Sequence, residues 1–311
     1  MNNIKIEEDE GYTHVKKFLQ ENDDYSYLIK QIGKNHSFMY DFSFLQSGRD
    51  LLISLDPSIT KKTSKKTFVV FPNLVLNSSV ITLHSILICS EYGHFADVMT
   101  LIRKYRDDLF FYLYLKVSDE SCDLLNIEKD ERSSLVVSDE SCDLLNKGPY
   151  SKTEINIKNW NTNSLSNLNI SKILEYIGKY PGIKSAVEKY HLKSKFTEIG
   201  NRLNNYVHGN GPAFYNRYPG IYTKEEIKSF ADVAANNLNY ITVVFVFLLA
   251  VCHPISIAST DYEDCMNNGG MPLEGSQFCV APFVEAYLKN YACLLGDDCI
   301  SFLKERTRME I

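Results

Sequence analysis

The chain has 311 residues, 44% hydrophobic and 12% aromatic, with a formal net charge of −6. That is ample apolar material for a substantial core in one large or two modest domains, which excludes a disordered chain or a disulfide-held miniature. The acidic balance argues against a dedicated nucleic-acid binder with a broad basic footprint, so any phosphate contact falls to local basic stretches.

Met1 to Glu8 shows neither a basic stretch nor an apolar one of the kind that directs export, and a cytoplasmic location is expected. Residues 1 to about 66 read as an appended N-terminal region. Helical patterns near Tyr12 to Glu21 and Tyr25 to Ile32 give way to an alternating segment, Phe38 to Leu55, that suits short strands. Pro57 and the lysine-rich stretch Lys61 to Lys66 mark a boundary, which divides the chain into 1–66 and 67–311.

From Thr67 onward, apart from an extended piece at Thr67 to Phe71, the pattern is helical, and the expected fold class is mostly α, a helical bundle. Ser78 or Ser79 is placed to cap a first helix, and Gly93 separates it from a long second one, His94 to about Lys116. Phe95, Val98, Met99, Ile102, Leu109, Phe110, Leu113 and Tyr114 make that second helix apolar on most faces, as a central bundle helix should be. The ten residues Val-Ser-Asp-Glu-Ser-Cys-Asp-Leu-Leu-Asn then occur at 117–126 and again at 137–146. Two copies are too few for a solenoid, so the pair reads as a local duplication within a surface insertion.

After a polar stretch, helices are expected at about Ser171 to Lys179, Gly182 to Tyr190 and Tyr190 to Val207. Thr223 with Glu226 forms a capping-box signature and opens a helix that runs to Cys252, where His253-Pro254 stops it. The strongest apolar run of the chain, Ile241 to Cys252, is 12 residues long. That is short of the roughly 20 needed to span a bilayer, so it reads as buried and no membrane partner is expected. Two further helices are expected in 274–291 and 297–304. Eight cysteines contain no CxxC pair and no tight Cys/His grouping, so no metal site, no cofactor and reduced thiols are expected. Cys252 and His253 are sequence neighbours, which is not the geometry of a catalytic dyad, and Ser276 has no nucleophile elbow around it.

The segment Asn201 to Gly211, NRLNNYVHGNG, carries the most direct chemical signal. It places Arg202, Asn204 and His208 on the last two turns of a helix whose apolar stripe is Leu192, Phe196, Ile199, Leu203 and Val207. Gly209 and Gly211 allow that helix to end. Imidazole moves protons near neutral pH, and guanidinium matches phosphate oxygens with a planar fork of donors, which is what metal-free phosphodiester cleavage requires. The negative end of the helix dipole should favour protonated His208. At about 100° per residue Arg202 lies a third of a turn from His208, close enough to flank the same phosphate, and Asn204, one turn before His208, can orient its ring. The stretch Lys61 to Lys66, the group Arg103, Lys104 and Arg106, and the series Lys184, Lys189, Lys193, Lys195 and Arg202 are further groups able to contact phosphate, with solvated surface charge as the plain alternative. Asp97 is placed to pair with Arg103 or to reach toward His208, and Tyr206 is suited either to stack a base or to pack.

These residues resemble the HEPN family of helical prokaryotic proteins, whose ribonuclease members carry an Arg, four to six intervening residues and a His at the end of a bundle helix. RLNNYVHGNG fits with five intervening residues, which maps the pair onto Arg202 and His208. The family often has a polar residue directly after the Arg; here Leu203 stands there and the amide is Asn204. The resemblance implies a metal-independent endoribonuclease acting on RNA, with His208, Arg202 and Asn204 as its catalytic residues and a 2′,3′-cyclic phosphate among its products. It also implies a homodimer that joins two motifs in one cleft, a toxin or antiviral defence setting, and a regulatory partner that holds the activity back. The other reading is a non-catalytic helical interaction or sensor protein that retains a degenerate motif.

Overall fold

The computed structural model describes residues 21–55, 72–131, 169–208, 223–267 and 279–307, with residues 17, 19, 309 and 311. Ten α-helices organise them: α1 (Asp23–Leu55), α2 (Pro72–Glu91), α3 (Phe95–Glu131), α4 (Ile170–Ile177), α5 (Pro181–Lys189), α6 (Leu192–His208), α7 (Lys224–Cys252), α8 (Thr260–Asn267), α9 (Pro282–Tyr291) and α10 (Cys299–Thr307). The fold is mostly α, as expected. No strand occurs among the described residues, and the one β contact is an isolated antiparallel bridge between Ala258 and Val280.

The short strands expected in Phe38 to Leu55 do not form; the segment is the second half of α1. Apolar residues alternate at Phe38, Tyr40, Phe42 and Phe44, but the helix buries Phe38 and Phe42 and leaves Tyr40 and Phe44 60% and 77% exposed. The true period was hidden because the buried face carries polar groups. Leu28, Ile32, Asn35, Met39, Phe42, Gln46 and Arg49 recur at alternating intervals of four and three residues, and all are buried. Their polar members are satisfied inside the bundle. Asn35 donates to Asn239 Oδ1 at 2.6 Å and accepts from the Tyr287 hydroxyl at 2.8 Å. Gln46 donates to the Ser256 carbonyl at 2.8 Å. Arg49 reaches Glu263 and the carbonyls of Ser256 and Ala258, each at 2.7 Å.

The N-terminal region, set apart in the sequence by Pro57 and its lysines, thus contributes α1 to the same hydrophobic cluster as α3 and α7. The extended piece at Thr67 to Phe71 lies outside the described residues. The next helix starts at Pro72, not at Ser78 or Ser79. Proline is favoured at the first helical position, and both serines bond within the fold instead, Ser78 to Asp108 and Ser79 to the Leu76 carbonyl. Gly93 does separate α2 from α3, with φ of 71° in the left-handed region. All eight apolar residues singled out for the central helix α3 are buried. Its backbone continues without a break through the first repeat copy to Glu131, since no glycine or proline interrupts it; the second copy lies outside the described residues.

The capping box at Thr223 is present in both halves: Glu226 N–H donates to the Thr223 hydroxyl at 3.2 Å and Thr223 N–H to Glu226 at 2.8 Å. From it α7 runs 29 residues to Cys252 through the centre of the bundle. Among the described residues two helices, α2 and α7, are long and apolar enough to cross a membrane, which the 12-residue run had not indicated for α7. The apolar window of α7 is 94% buried by its neighbours, so core packing accounts for its composition, whereas that of α2 is 44% buried. The exposed part of α2 includes Leu74, Ile81 and Ile88 at seven-residue intervals.

Candidate functional site

Helix α6 is positioned by its apolar face. Leu192, Phe196, Ile199 and Leu203 are buried, and Val207 is half-buried at the end of the same stripe. Phe196 meets Phe110 of α3 edge to face at a centroid distance of 4.6 Å, and Tyr240 of α7 at 5.7 Å. The helix begins after His191, whose φ of 52° makes a sharp turn from α5. With the stripe anchored, helical geometry fixes where the polar residues go.

His208 is exposed on the last turn. The Arg202 side chain is 40% exposed and donates from Nη2 to Glu198 Oε1 at 2.8 Å, an (i, i+4) pair on the solvent side. Asn204 follows Arg202 by two positions, about 200° around the axis, and therefore faces the other way. Its Oδ1 is buried without a hydrogen-bond partner. Arg202 and Asn204 thus do not flank a common point, and Arg202 is about 120° from His208. Gly209 and Gly211 lie outside the described residues. Tyr206 packs half-buried against the core.

Asn204 opens instead onto a cleft of about 690 Å³ bounded by α2, α3, the start of α4, and α6. Arg103, Arg106 and Lys193 line it, bringing together cations that the sequence shows only as separate basic groups. Asp107 and Asp108 line it too. Arg103 meets Asp107, one turn further along α3, at 3.8 Å, in place of the expected Asp97. Asp108 is held by Lys104 at 2.5 Å and by Ser78.

Arg106 is the unusual member. Its side chain is 4% exposed, and Nε and Nη2 both donate to the single oxygen Asp107 Oδ1, at 2.9 and 2.7 Å. Nη1 is buried with no partner. A buried polar group left in that state costs about 1–3 kcal/mol, so such a group demands a reason. Gly200 lets α6 pass close to the guanidinium: a Cβ there would come within 3.1 Å of Arg106 Nη1. The convergence of Arg106, Lys193 and Asn204 was missed from sequence because it depends on how α3 packs on α6.

Among the described residues no three His, Cys, Asp or Glu side chains gather as a metal-binding group. Cys252 Sγ donates to the Leu249 carbonyl, while His253 Nδ1 shares a 2.7 Å hydrogen bond with the Ser256 hydroxyl. Ser276 lies outside the described residues. No family model, curated protein or solved structure matches the chain.

Proposed function

We propose that this protein is a metal-independent endoribonuclease of the HEPN type, with His208 and Arg202 as its reacting groups. The observation that supports the reading most is the partition of α6: its stripe is buried while the imidazole and the guanidinium stay within reach of solvent, where an RNA strand can approach. In the proposed reaction His208 takes the proton of a ribose 2′-hydroxyl, and that oxygen forms a bond to phosphorus. Arg202 stabilises the added charge on the phosphorane. The bond from phosphorus to the 5′-oxygen then breaks, leaving a 2′,3′-cyclic phosphate and a 5′-hydroxyl.

The leaving oxygen needs a proton, and the 120° between Arg202 and His208 limits what one helix end can do alone. Pairing of two protomers at this end of α6 supplies a second protonated imidazole and a second guanidinium, so a homodimer belongs to the proposal. Asn204 then acts on the cleft side, close in angle to His208, where it can steady that ring rather than the phosphate at Arg202. The setting proposed is a cytoplasmic toxin or antiviral defence protein, restrained by a regulatory partner until triggered. Growth of cells expressing the intact chain tests this. Slowed growth that Arg202→Ala and His208→Ala both relieve at equal protein level supports the enzyme; slowed growth that neither relieves removes it.

A second reading, a non-catalytic interaction or sensor protein, is favoured by one specific observation. Arg202 is engaged with Glu198, as an ordinary surface residue would be. That reading assigns the chemistry of the chain to ligand binding.

A further inference from the structure

We propose that the cleft between α2, α3, α4 and α6 binds a small organic phosphate, with Arg106 as the group that recognises the phosphate. The inference does not depend on RNA cleavage: Arg106 has no part in the proposed reaction, and the cleft, which Asn204 borders, lies on the opposite side of α6 from Arg202. Three features converge on it. The first is Arg106 Nη1, a charged donor sealed from solvent and without an acceptor. A guanidinium that spends Nε and Nη2 on one carboxylate oxygen keeps its remaining N–H donors for something else, and the planar fork of a guanidinium fits a pair of phosphate oxygens.

The second is charge. Arg103, Arg106 and Lys193 line the cleft against Asp107 and Asp108, and Lys104 neutralises Asp108 from beside it. Four cations against two carboxylates leave an excess of two positive charges, which matches the dianion of a phosphate monoester. The N-terminus of α4 adds to this, since Asn169, Ile170 and Ser171 all face the cleft. First-turn amides of a helix have no intrahelical acceptor, and the Asn169 side chain caps only the Lys172 N–H, at 3.0 Å.

The third is size and the nature of the walls. A volume of about 690 Å³ greatly exceeds what one phosphate fills, and Val75, Phe111, Leu174 and Phe196 line it with apolar surface. Asn204 Oδ1 is a buried acceptor awaiting a donor, which a bare phosphate dianion lacks and a sugar hydroxyl supplies. Phosphate at Arg106 and a hydroxylated organic portion toward Asn204 would satisfy both orphaned atoms at once.

Titration of the full chain with ribose 5-phosphate, inorganic phosphate and ribose, followed by calorimetry, tests the assignment. Saturable binding of ribose 5-phosphate is expected, at least tenfold tighter than either inorganic phosphate or ribose. Arg106→Gln should weaken it at least tenfold, and Lys193→Gln, at an exposed position that leaves the core intact, about threefold or more. Arg202→Ala should leave it unchanged, which separates failure here from failure of the nuclease reading. If ribose 5-phosphate does not saturate, if inorganic phosphate or ribose binds as tightly, or if folded Lys193→Gln binds as well as the parent, the assignment is wrong.

Discussion

Arg202 and Asn204 are two residues apart on one helix yet serve opposite surfaces: Arg202 reaches out to Glu198 at 2.8 Å, and Asn204 turns a partnerless oxygen into the cleft beside Arg106. The buried Leu203 between them fixes this division, because a helix anchored by its apolar stripe cannot rotate to bring both polar groups to one side. The proposed reacting guanidinium and the ligand cleft are therefore assigned to different faces of α6.

The Arg202–Glu198 pair is a weak restraint. Exposed (i, i+4) pairs contribute about 0.3–0.5 kcal/mol, so freeing the guanidinium shifts its availability about twofold at most. Glu198→Ala should therefore change the unfolding free energy by less than about 0.5 kcal/mol and raise RNA cleavage no more than about twofold. A large loss of cleavage in that variant would mean that Glu198 itself takes part in the reaction.

Leu203, adjacent to Arg202 in sequence, behaves differently because it is fully buried. Leu203→Ala should destabilise the fold by about 2–5 kcal/mol in denaturant titrations, whereas Arg202→Ala stays within about 0.5 kcal/mol. Equal effects from the two would place α6 in a different rotation about its axis.

Arg49 ties α1 to the segment after α7 through Glu263 and two backbone carbonyls, with both side chains largely shielded from solvent. Removing one partner of such a buried pair strands the other and the carbonyls. Arg49→Met is expected to cost about 3–5 kcal/mol, read from the shift of the urea midpoint at constant slope. A neutral result would show that α1 docks without this anchor.

His253 gives the fold a defined response to acid. Burial, aided by the cations of Lys116 and Arg49, pulls its imidazole from the ordinary 6.5 down to about 4. The unfolded chain takes up a proton near pH 6.5 while the folded chain resists until about pH 4. The stabilisation is thus complete above pH 6.5, falls as the pH drops through that window, and is gone below about 4. The loss is on the order of 3 kcal/mol. His253→Asn should flatten the stability profile between pH 6.5 and 4, as measured by denaturation at several pH values; an unchanged profile would assign the acid sensitivity to other groups.

Much of the bundle was legible in the sequence. The apolar spacing of α3 and α6, the Thr223–Glu226 box and the break at Gly93 all express local rules that tertiary packing did not override. Residues Phe38 to Leu55 misled because Gln46 and Arg49 occupy buried positions while Tyr40 and Phe44 face out, which inverts the usual relation between polarity and burial. Placement of the site divided in the same way. Helical periodicity locates Arg202 and His208 at the end of α6, but the cleft needs Arg106 and Lys193 to meet across two helices, and no local pattern records that.

The most direct test of the central claim is cleavage of single-stranded RNA by the purified chain in excess EDTA, with His208→Ala and Arg202→Ala in parallel. The account predicts products ending in 2′,3′-cyclic phosphate, and a slowing of at least about a hundredfold in each variant. Undiminished cleavage by His208→Ala, or no cleavage by the parent chain, would contradict it.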